Sequence, residues 1–311
     1  METYMTDAIK VYDVLIIGGG PAGYTAALYA TRSGFTTAVV ERLSPGGQMA
    51  TTSQVDNYPG FPEGVDGFEL GEKMQQGAER FGAETIFAEV NKVDLKANPK
   101  CLDTSEGKLY GKTVILATGA EPRKLGLAEE EVLTGKGIAY CATCDGMQFK
   151  GKVVAVNGGG NTAVEDALYL AKLCKKVYMV HRRDALRAAP VYLENLRKNG
   201  VEILWNSKIV ELLHDKRLTG VRLEDTKTGE KRDLTLDGVF VAIGRVPDSQ
   251  MFAGQIALDE TGYIIAGEDM KTSEPGVFAA GDVRKKSLRQ IITAAADGAL
   301  AAHSAEEFLL G

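Results

Sequence analysis

Cysteine, histidine and tryptophan are scarce here: four, three and one copy in 311 residues. Four cysteines do not make the disulfide framework that small secreted chains rely on. One pair is spaced CxxC, but no second CxxC and no nearby histidine pair completes a four-ligand zinc set, so no metal is expected. His214 and His303 have no sequence neighbours that point to catalysis, and Trp205 reads as packing. Long apolar runs are also missing. Nothing reaches the length of a bilayer span, and METYMTD (1–7) is acidic rather than an apolar signal, which predicts a soluble cytoplasmic protein with no membrane partner. Positive charge is in deficit: 36 Lys and Arg against 42 Asp and Glu give a net charge of −6, which argues against nucleic acid as a partner. The rest is ordinary globular usage, 44% hydrophobic and 25% charged, at a length that predicts two domains.

Glycine, by contrast, is patterned. Gly18-Gly19-Gly20-Pro21-Ala22-Gly23 follows the apolar run Val14-Leu15-Ile16-Ile17. About 140 residues on, Gly158-Gly159-Gly160-Asn161-Thr162-Ala163 follows Val153-Val154-Ala155-Val156. On the same offset Ala27-Leu28-Tyr29 falls on Ala167-Leu168-Tyr169, and Val40 on Val180, so one βαβ unit is used twice. In such a unit the first glycine permits a tight turn, the second lets backbone approach a pyrophosphate, and the third allows close helix–strand packing. The helix N-terminus adds free N–H groups and partial positive charge. Gly18, Gly20, Pro21, Ala22 and Gly23 are therefore candidate contacts to one dinucleotide. Gly158, Gly160, Asn161, Thr162 and Ala163 are candidates for a second, with alanine in the third glycine's place.

The end of the next strand separates the two ligands. The first copy has Glu41, suited to ribose hydroxyls of an adenosine without a 2′-phosphate, as in FAD or NAD. The second copy has His181 there, followed by Arg182, Arg183 and Arg187. Guanidinium groups favour a 2′-phosphate through bidentate, charge-assisted hydrogen bonds, so this copy suits NADPH; the alternative is a solvated strand end.

Between the loops lies Cys141-Ala142-Thr143-Cys144-Asp145. This spacing lets a disulfide close at the start of a helix, where one thiol pKa is lowered. Asp145 reads either as a general acid for a leaving thiolate or as a helix cap. Cys101, in a polar hairpin-like stretch, and Cys174, on the apolar face of the second unit's helix, read as structural.

Around these motifs the pattern predicts a helix over 67–81, strands over 85–93 and 100–103, and a buried strand over 113–119 ending at Gly119. The second copy repeats the plan, with a helix over 191–199 and a closing strand over 239–244. The tail is too short for a third such domain. It carries a strand ending in Gly281-Asp282 and a helix over about 288–309, and is expected to return to the first domain. The fold class is therefore α/β: two Rossmann-like, three-layer ββα nucleotide-binding domains, the first discontinuous. Its segments are 1–120 and 247–311, around a second domain over 121–246. Asp282 is placed at the ribityl or phosphate part of a flavin, and Arg289, Gln290 and Ile291 at a helix start facing its ring.

Taken together, GGGPAG (18–23), GGQ (46–48), DNYPG (56–60), CATCDG (141–146), GGGNTAVE (158–165), HRRDALRA (181–188) and GVFAAGDV (276–283) give a chain that resembles the low-molecular-weight, bacterial-type thioredoxin reductases over nearly its whole length. The position of CATCDG between the two loops is the most specific mark. In glutathione-reductase-like relatives the redox cysteines sit near the first loop. The resemblance implies a homodimer that passes electrons from NADPH through FAD to a Cys141–Cys144 disulfide and on to thioredoxin, one domain rotating against the other between half-reactions. It implies that Cys144 lies nearer the flavin, that Cys141 attacks thioredoxin, and that Asp145 is the acid. Glu41, Gln48, Asn57, Asp282 and Gln290 match the family's FAD contacts, with Arg42 and Gly47 adjoining them. Arg182, Arg183 and Arg187 match its phosphate contacts. Two departures stand out: Asn157 replaces an apolar residue before the second loop, and 147–149 is less aromatic than in some members, which leaves the protein partner's preference open. The competing reading is a dithiol flavoprotein of the same fold that takes electrons from ferredoxin or NADH.

Overall fold

The computed structural model describes residues 10–52, 54–188 and 191–311; the acidic stretch 1–7 lies outside the described residues. β1 (Val11–Ile17) runs through the first glycine turn into α1 (Pro21–Arg32), and β2 (Thr37–Glu41) returns parallel to β1. Proline at the start of α1 presets φ where no intrahelical donor is required. A 3-10 turn over Gly47–Thr51 leads to α2 (Gly67–Glu79), which Asp66 caps by accepting the N–H groups of Phe68 and Glu69. Then come β3 (Glu84–Phe87), β4 (Val90–Asp94), β5 (Lys100–Thr104) and β6 (Gly107–Leu116). The single strand expected over 85–93 is thus two. β3 pairs parallel with β2, while β4 turns away to pair antiparallel with β5.

β7 (Ala120–Pro122) leads into the second unit: α3 (Glu130–Leu133), β8 (Ile138–Ala139), α4 (Ala142–Asp145), β9 (Val153–Gly158), α5 (Asn161–Leu170), β10 (Lys176–Val180), α6 (Val191–Lys198) and β11 (Glu202–Leu204). Three antiparallel strands follow, β12 (Ser207–His214), β13 (Leu218–Asp225) and β14 (Lys231–Thr235), and β15 (Gly238–Ala242) closes the unit. The chain returns through β16 (Arg245–Pro247) to β17 (Val277–Ala279) and the long α7 (Ile291–Leu310). Two compact units result: Pro122–Arg245, and the segment up to Glu121 joined by Val246–Gly311.

Both units are built in the same three layers. In the first, the sheet order is β3-β2-β1-β6-β5-β4, and β17 pairs parallel with the far half of β6. Strand alternation sends Val14 and Ile16 of β1 to the side of α1 and α7, where they meet Ala26, Ala30, Ala301 and Ala305. Leu15 and Ile17 point the other way, to Val93, Leu95, Leu102 and Phe252. Each fully buried leucine or isoleucine contributes about 1.5–3 kcal/mol. Small residues let the two helices touch. A Cβ on Gly298 of α7 would stand 2.2 Å from the Ala22 carbonyl oxygen of α1, so any side chain there forces them apart. In the second unit the parallel sheet is β11-β10-β9-β15-β8. Val154 and Val156 of β9 face Ala163, Val164, Ala167 and Leu170 of α5, while Ala155 joins Val239, Val241, Leu212, Val221 and Leu223 beneath β12–β14.

Candidate active site

In the first loop the glycines of the repeated pattern, Gly18, Gly20 and Gly23, differ in their surroundings. Gly18 sits at φ +104, where a Cβ would be 2.4 Å from the Ala117 carbonyl oxygen. A Cβ on Gly23 would be 1.9 Å from the carbonyl oxygen of Gly18, so this glycine is what lets α1 pack on the turn. A Cβ on Gly20 would meet nothing within 4 Å. The two outer glycines are thus dictated by the protein itself, and the middle one faces open space. Gly20 is also the N-cap of α1 and brings no side chain to cap the first-turn N–H groups, which stay available to an anion.

Several other predicted residues adjoin this loop, and the rest lie elsewhere in the same unit. Glu41 ends β2 and accepts from the N–H of Gly19 at 2.7 Å and of Leu43 at 3.0 Å. The Gly46 N–H donates to the Gly19 carbonyl at 2.8 Å, and a Cβ on Gly47 would lie 3.4 Å from the Cα of Gly20, so Gly47-Gln48 adjoin the loop. Gly281, at φ +79, is held against Ala22, which brings Asp282 to the start of α1. Asn57 Nδ2 donates to Gln290 Oε1 at 3.0 Å, and Gln290 forms a capping box with Thr293 at the head of α7. Ile291 packs with Met49, Val55 and Leu70. The Arg289 guanidinium stacks on Tyr263 at 4.2 Å, and its buried Nε finds no acceptor among the described residues. Gly119 follows β6 at φ +80, and Arg42 is exposed. An open backbone cradle, an uncapped helix start and a half-buried arginine with an unused Nε donor fit an anionic, planar ligand such as FAD.

One residue that sequence reasoning missed holds this site together. Asp297 of α7 is buried and accepts from Arg284 at 2.8 and 2.9 Å, from Lys286 at 2.7 Å and from the Gly281 N–H at 3.0 Å. Burial alone pushes its carboxyl up, but the hydrogen bonds from Arg284 and Lys286 outweigh that and hold it below the usual carboxylate range. The Gly281-Asp282 turn is thereby pinned to α7. A lone aspartate in an alanine-rich helix gives no hint of this beforehand.

The second loop repeats the scheme with one change. A Cβ on Gly158 would come 2.4 Å from the Ala242 carbonyl oxygen and 2.7 Å from the Cβ of Ala163, so this glycine answers a close approach, and Ala163 fills the third position. Gly160 again meets nothing within 4 Å and caps α5 with no side chain, leaving the exposed Asn161 and Thr162 at an open first turn. The Arg187 N–H donates to the Gly159 carbonyl at 2.8 Å, which docks the arginine segment on the loop. Arg182, Arg183 and Arg187 are exposed, and none pairs with a carboxylate among the described residues; their neighbour Asp184 is engaged by Lys227 at 3.1 Å. His181 does not join them outside. Its ring is buried beneath the loop, between the carbonyls of Gly158 and Ala185.

Cys141 and Cys144 form a disulfide, S–S 2.03 Å, at the head of α4. Cys141 is the N-cap, and its Sγ accepts the Cys144 N–H at 3.2 Å. α4 seats on α5 through Gly146, where a Cβ would be 3.0 Å from the Tyr169 ring. Asp145 is half-buried and its side chain caps neither α4 nor the 3-10 turn Gly146–Phe149 that follows. Desolvation pushes its carboxyl up to about 6. Upstream, buried Glu130 accepts from the N–H groups of Leu125 at 2.7 Å and Gly126 at 2.8 Å, and from the hydroxyl of Tyr140 at 2.8 Å. Tyr140 immediately precedes Cys141, so this carboxylate anchors the strand end that presents the disulfide. Its adjacency to Cys141 was the only available signal. Cys174 lies in the turn after α5 rather than on the helix, where burial pushes its thiol up to about 11. Cys101 is in β5. Among the described residues no cluster of His, Cys, Asp and Glu could hold a metal ion, and no helix is long and apolar enough to cross a membrane.

A doubled βαβ fold with a disulfide at the head of a short helix defines an oxidoreductase of the two-Rossmann-unit class. The sequence pattern of the pyridine nucleotide-disulphide oxidoreductases matches residues 12–298, and the chain belongs to that family. It is 45% identical over 307 residues to the thioredoxin reductase of Listeria monocytogenes, spanning 98% of this chain and 96% of that one. It is likewise 45% identical over 302 residues to that of Bacillus subtilis, spanning 96% and 95%. The crystal structure of thioredoxin reductase from Streptococcus pyogenes superposes with a TM-score of 0.90 at 43% identity, covering 97% of this chain and 99% of that one.

Proposed function

We propose that the chain is an NADPH-dependent thioredoxin-disulfide reductase that carries FAD and works as a cytoplasmic homodimer. The observation that carries this reading is the Cys141–Cys144 disulfide at the head of α4, beside a desolvated acid and in a unit with its own phosphate cradle. Gly18–Gly23, Glu41, Asp282 and Arg289 would hold FAD, which when bound would supply two-electron transfer between a pyridine nucleotide and a disulfide. Arg182, Arg183 and Arg187 read the extra ribose phosphate, and the uncapped start of α5 takes the pyrophosphate.

Reducing the Cys141–Cys144 bond takes two electrons and leaves two sulfurs, one as a thiol and one as a thiolate. With a pKa of about 6, Asp145 keeps roughly a tenth of its population protonated at pH 7 and can donate to a leaving sulfur. The Cys144 N–H bonds Cys141 Sγ and favours the thiolate there. That thiolate attacks one sulfur of the substrate disulfide, forming a mixed disulfide and expelling the other sulfur, which takes a proton. The Cys144 sulfur then attacks Cys141 Sγ, releases the second substrate thiol and restores the internal bond. Steady-state kinetics test the path: Cys141→Ser and Cys144→Ser are each expected to lose turnover with thioredoxin while the flavin is still reduced by NADPH. Retained turnover in either variant contradicts the assignment.

A further inference from the structure

His181 immediately follows β10 and is 7% exposed. Nδ1 lies 3.1 Å from the carbonyl oxygen of Gly158, and Nε2 lies 2.9 Å from that of Ala185. A neutral imidazole has one N–H, so it donates to one of these oxygens and turns a lone pair on the other; only the imidazolium donates to both. The two carbonyls belong to the two segments that would flank a dinucleotide phosphate. Gly158 opens the second glycine loop, and Ala185 lies between Arg183 and Arg187. The ring is fixed in place: Trp205 stands edge-on at 6.1 Å, and a Cβ on Gly159 would fall 2.2 Å from its Cε1.

The charged groups facing the ring are all cationic. Arg183 and Arg187 come from its own segment, while Gly158-Gly159 and Trp205-Asn206 bring no titratable side chain. Asp184, the acid of that segment, is held by Lys227. Burial first, and then the two arginines, pull His181 below its ordinary pKa of 6.5 despite the two carbonyls. At neutral pH the ring is therefore uncharged, and one carbonyl faces a lone pair.

We propose that His181 is a positioning residue that takes up a proton when a 2′-phosphorylated dinucleotide binds, and as an imidazolium ties the glycine loop to the arginine segment through Gly158 and Ala185. This rests on the NADPH reading of that segment. A phosphate dianion offsets the Arg183 and Arg187 charges that oppose protonation, so solvent supplies a proton and both hydrogen bonds form. A dinucleotide without the phosphate brings no such charge. Proton uptake then adds to the arginine contacts in distinguishing the two ligands.

The test uses the full-length, flavin-loaded protein with NADP+ and NAD+ as probes. Only three histidines are present, and His214 and His303 are exposed, so nitrogen NMR of labelled histidine resolves His181 against two internal references. At pH 7.5 the expected spectrum is neutral imidazole in the free protein and with saturating NAD+, and imidazolium with NADP+. Calorimetry in buffers of differing ionisation heat should show up to about one proton taken up with NADP+, at a pH where the ribose phosphate, with its second pKa near 6, is already dianionic. The NADP+ dissociation constant should rise by up to about tenfold per pH unit above neutrality, and that of NAD+ should stay flat. His181→Gln should abolish the uptake. An unchanged His181 signal on NADP+ binding, or uptake that survives in His181→Gln, overturns the proposal while leaving the NADPH reading intact. NADP+ binding no tighter than NAD+ to the unmodified protein overturns both.

Discussion

Replacing Asp145 by Asn should make the oxidised protein more stable and slower at once. The carboxyl is moved by burial from 3.8 to about 6. At 1.36 kcal/mol per unit, a shift of about two units is worth up to about 3 kcal/mol. Its sign follows from linkage. Above pH 6 the group is ionised both folded and unfolded, and the folded state bears the whole desolvation cost. Below about pH 4 it is protonated in both, and the cost disappears. The native protein should therefore lose stability as pH rises from 4 through 6, a loss that Asp145→Asn does not share. Urea unfolding of the oxidised forms should show the variant ahead by up to about 3 kcal/mol at pH 8 and by less than about 1 kcal/mol at pH 4. Turnover with thioredoxin should fall by about 100-fold or more, the usual cost of losing a general acid. A stability difference that is the same at both pH values, or that favours the native protein at pH 8, refutes the reasoning.

Removing Arg182 and Arg183 together by alanine substitution takes away two charge-assisted contacts and should weaken NADPH binding by about 3–6 kcal/mol. NADH binding should be nearly untouched; equal weakening of both in a binding titration rejects phosphate reading. Gly23→Ala drives a methyl into the Gly18 carbonyl, 1.9 Å from the ideal Cβ position, and should yield protein with little bound flavin by its absorbance ratio. Full flavin occupancy would show that the loop is not the cradle. Tyr140→Phe leaves buried Glu130 one donor short and should cost about 1–3 kcal/mol in urea unfolding, with no loss if the bond at 2.8 Å is unimportant.

Much of this was written locally in the chain. Gly18, Gly20 and Gly23 differ in what surrounds them in the way a phosphate turn demands, and the repeat offset carried the same logic to Gly158, Gly160 and Ala163. Periodicity located α1, α5 and the buried strands because each depends on its own residues alternating between core and surface. What escaped depended on contacts between distant segments. The strand over 85–93 breaks because β2 and β5 compete for its two halves in opposite directions. Asp297 and Glu130 look like ordinary helical acids until folding brings Arg284, Lys286 and Tyr140 against them. His181 sits in register with the arginines, yet its ring turns beneath the glycine loop to the carbonyls of Gly158 and Ala185, contacts that its place in the sequence does not show.

The most direct test is an anaerobic titration of the purified protein with NADPH, followed by oxidised thioredoxin, read from the flavin absorbance. The account predicts that NADPH bleaches the flavin and that thioredoxin then restores its colour, with restoration lost in Cys141→Ser and Cys144→Ser. A colourless protein, a flavin that NADPH leaves oxidised, or a bleached flavin that thioredoxin cannot recolour contradicts it.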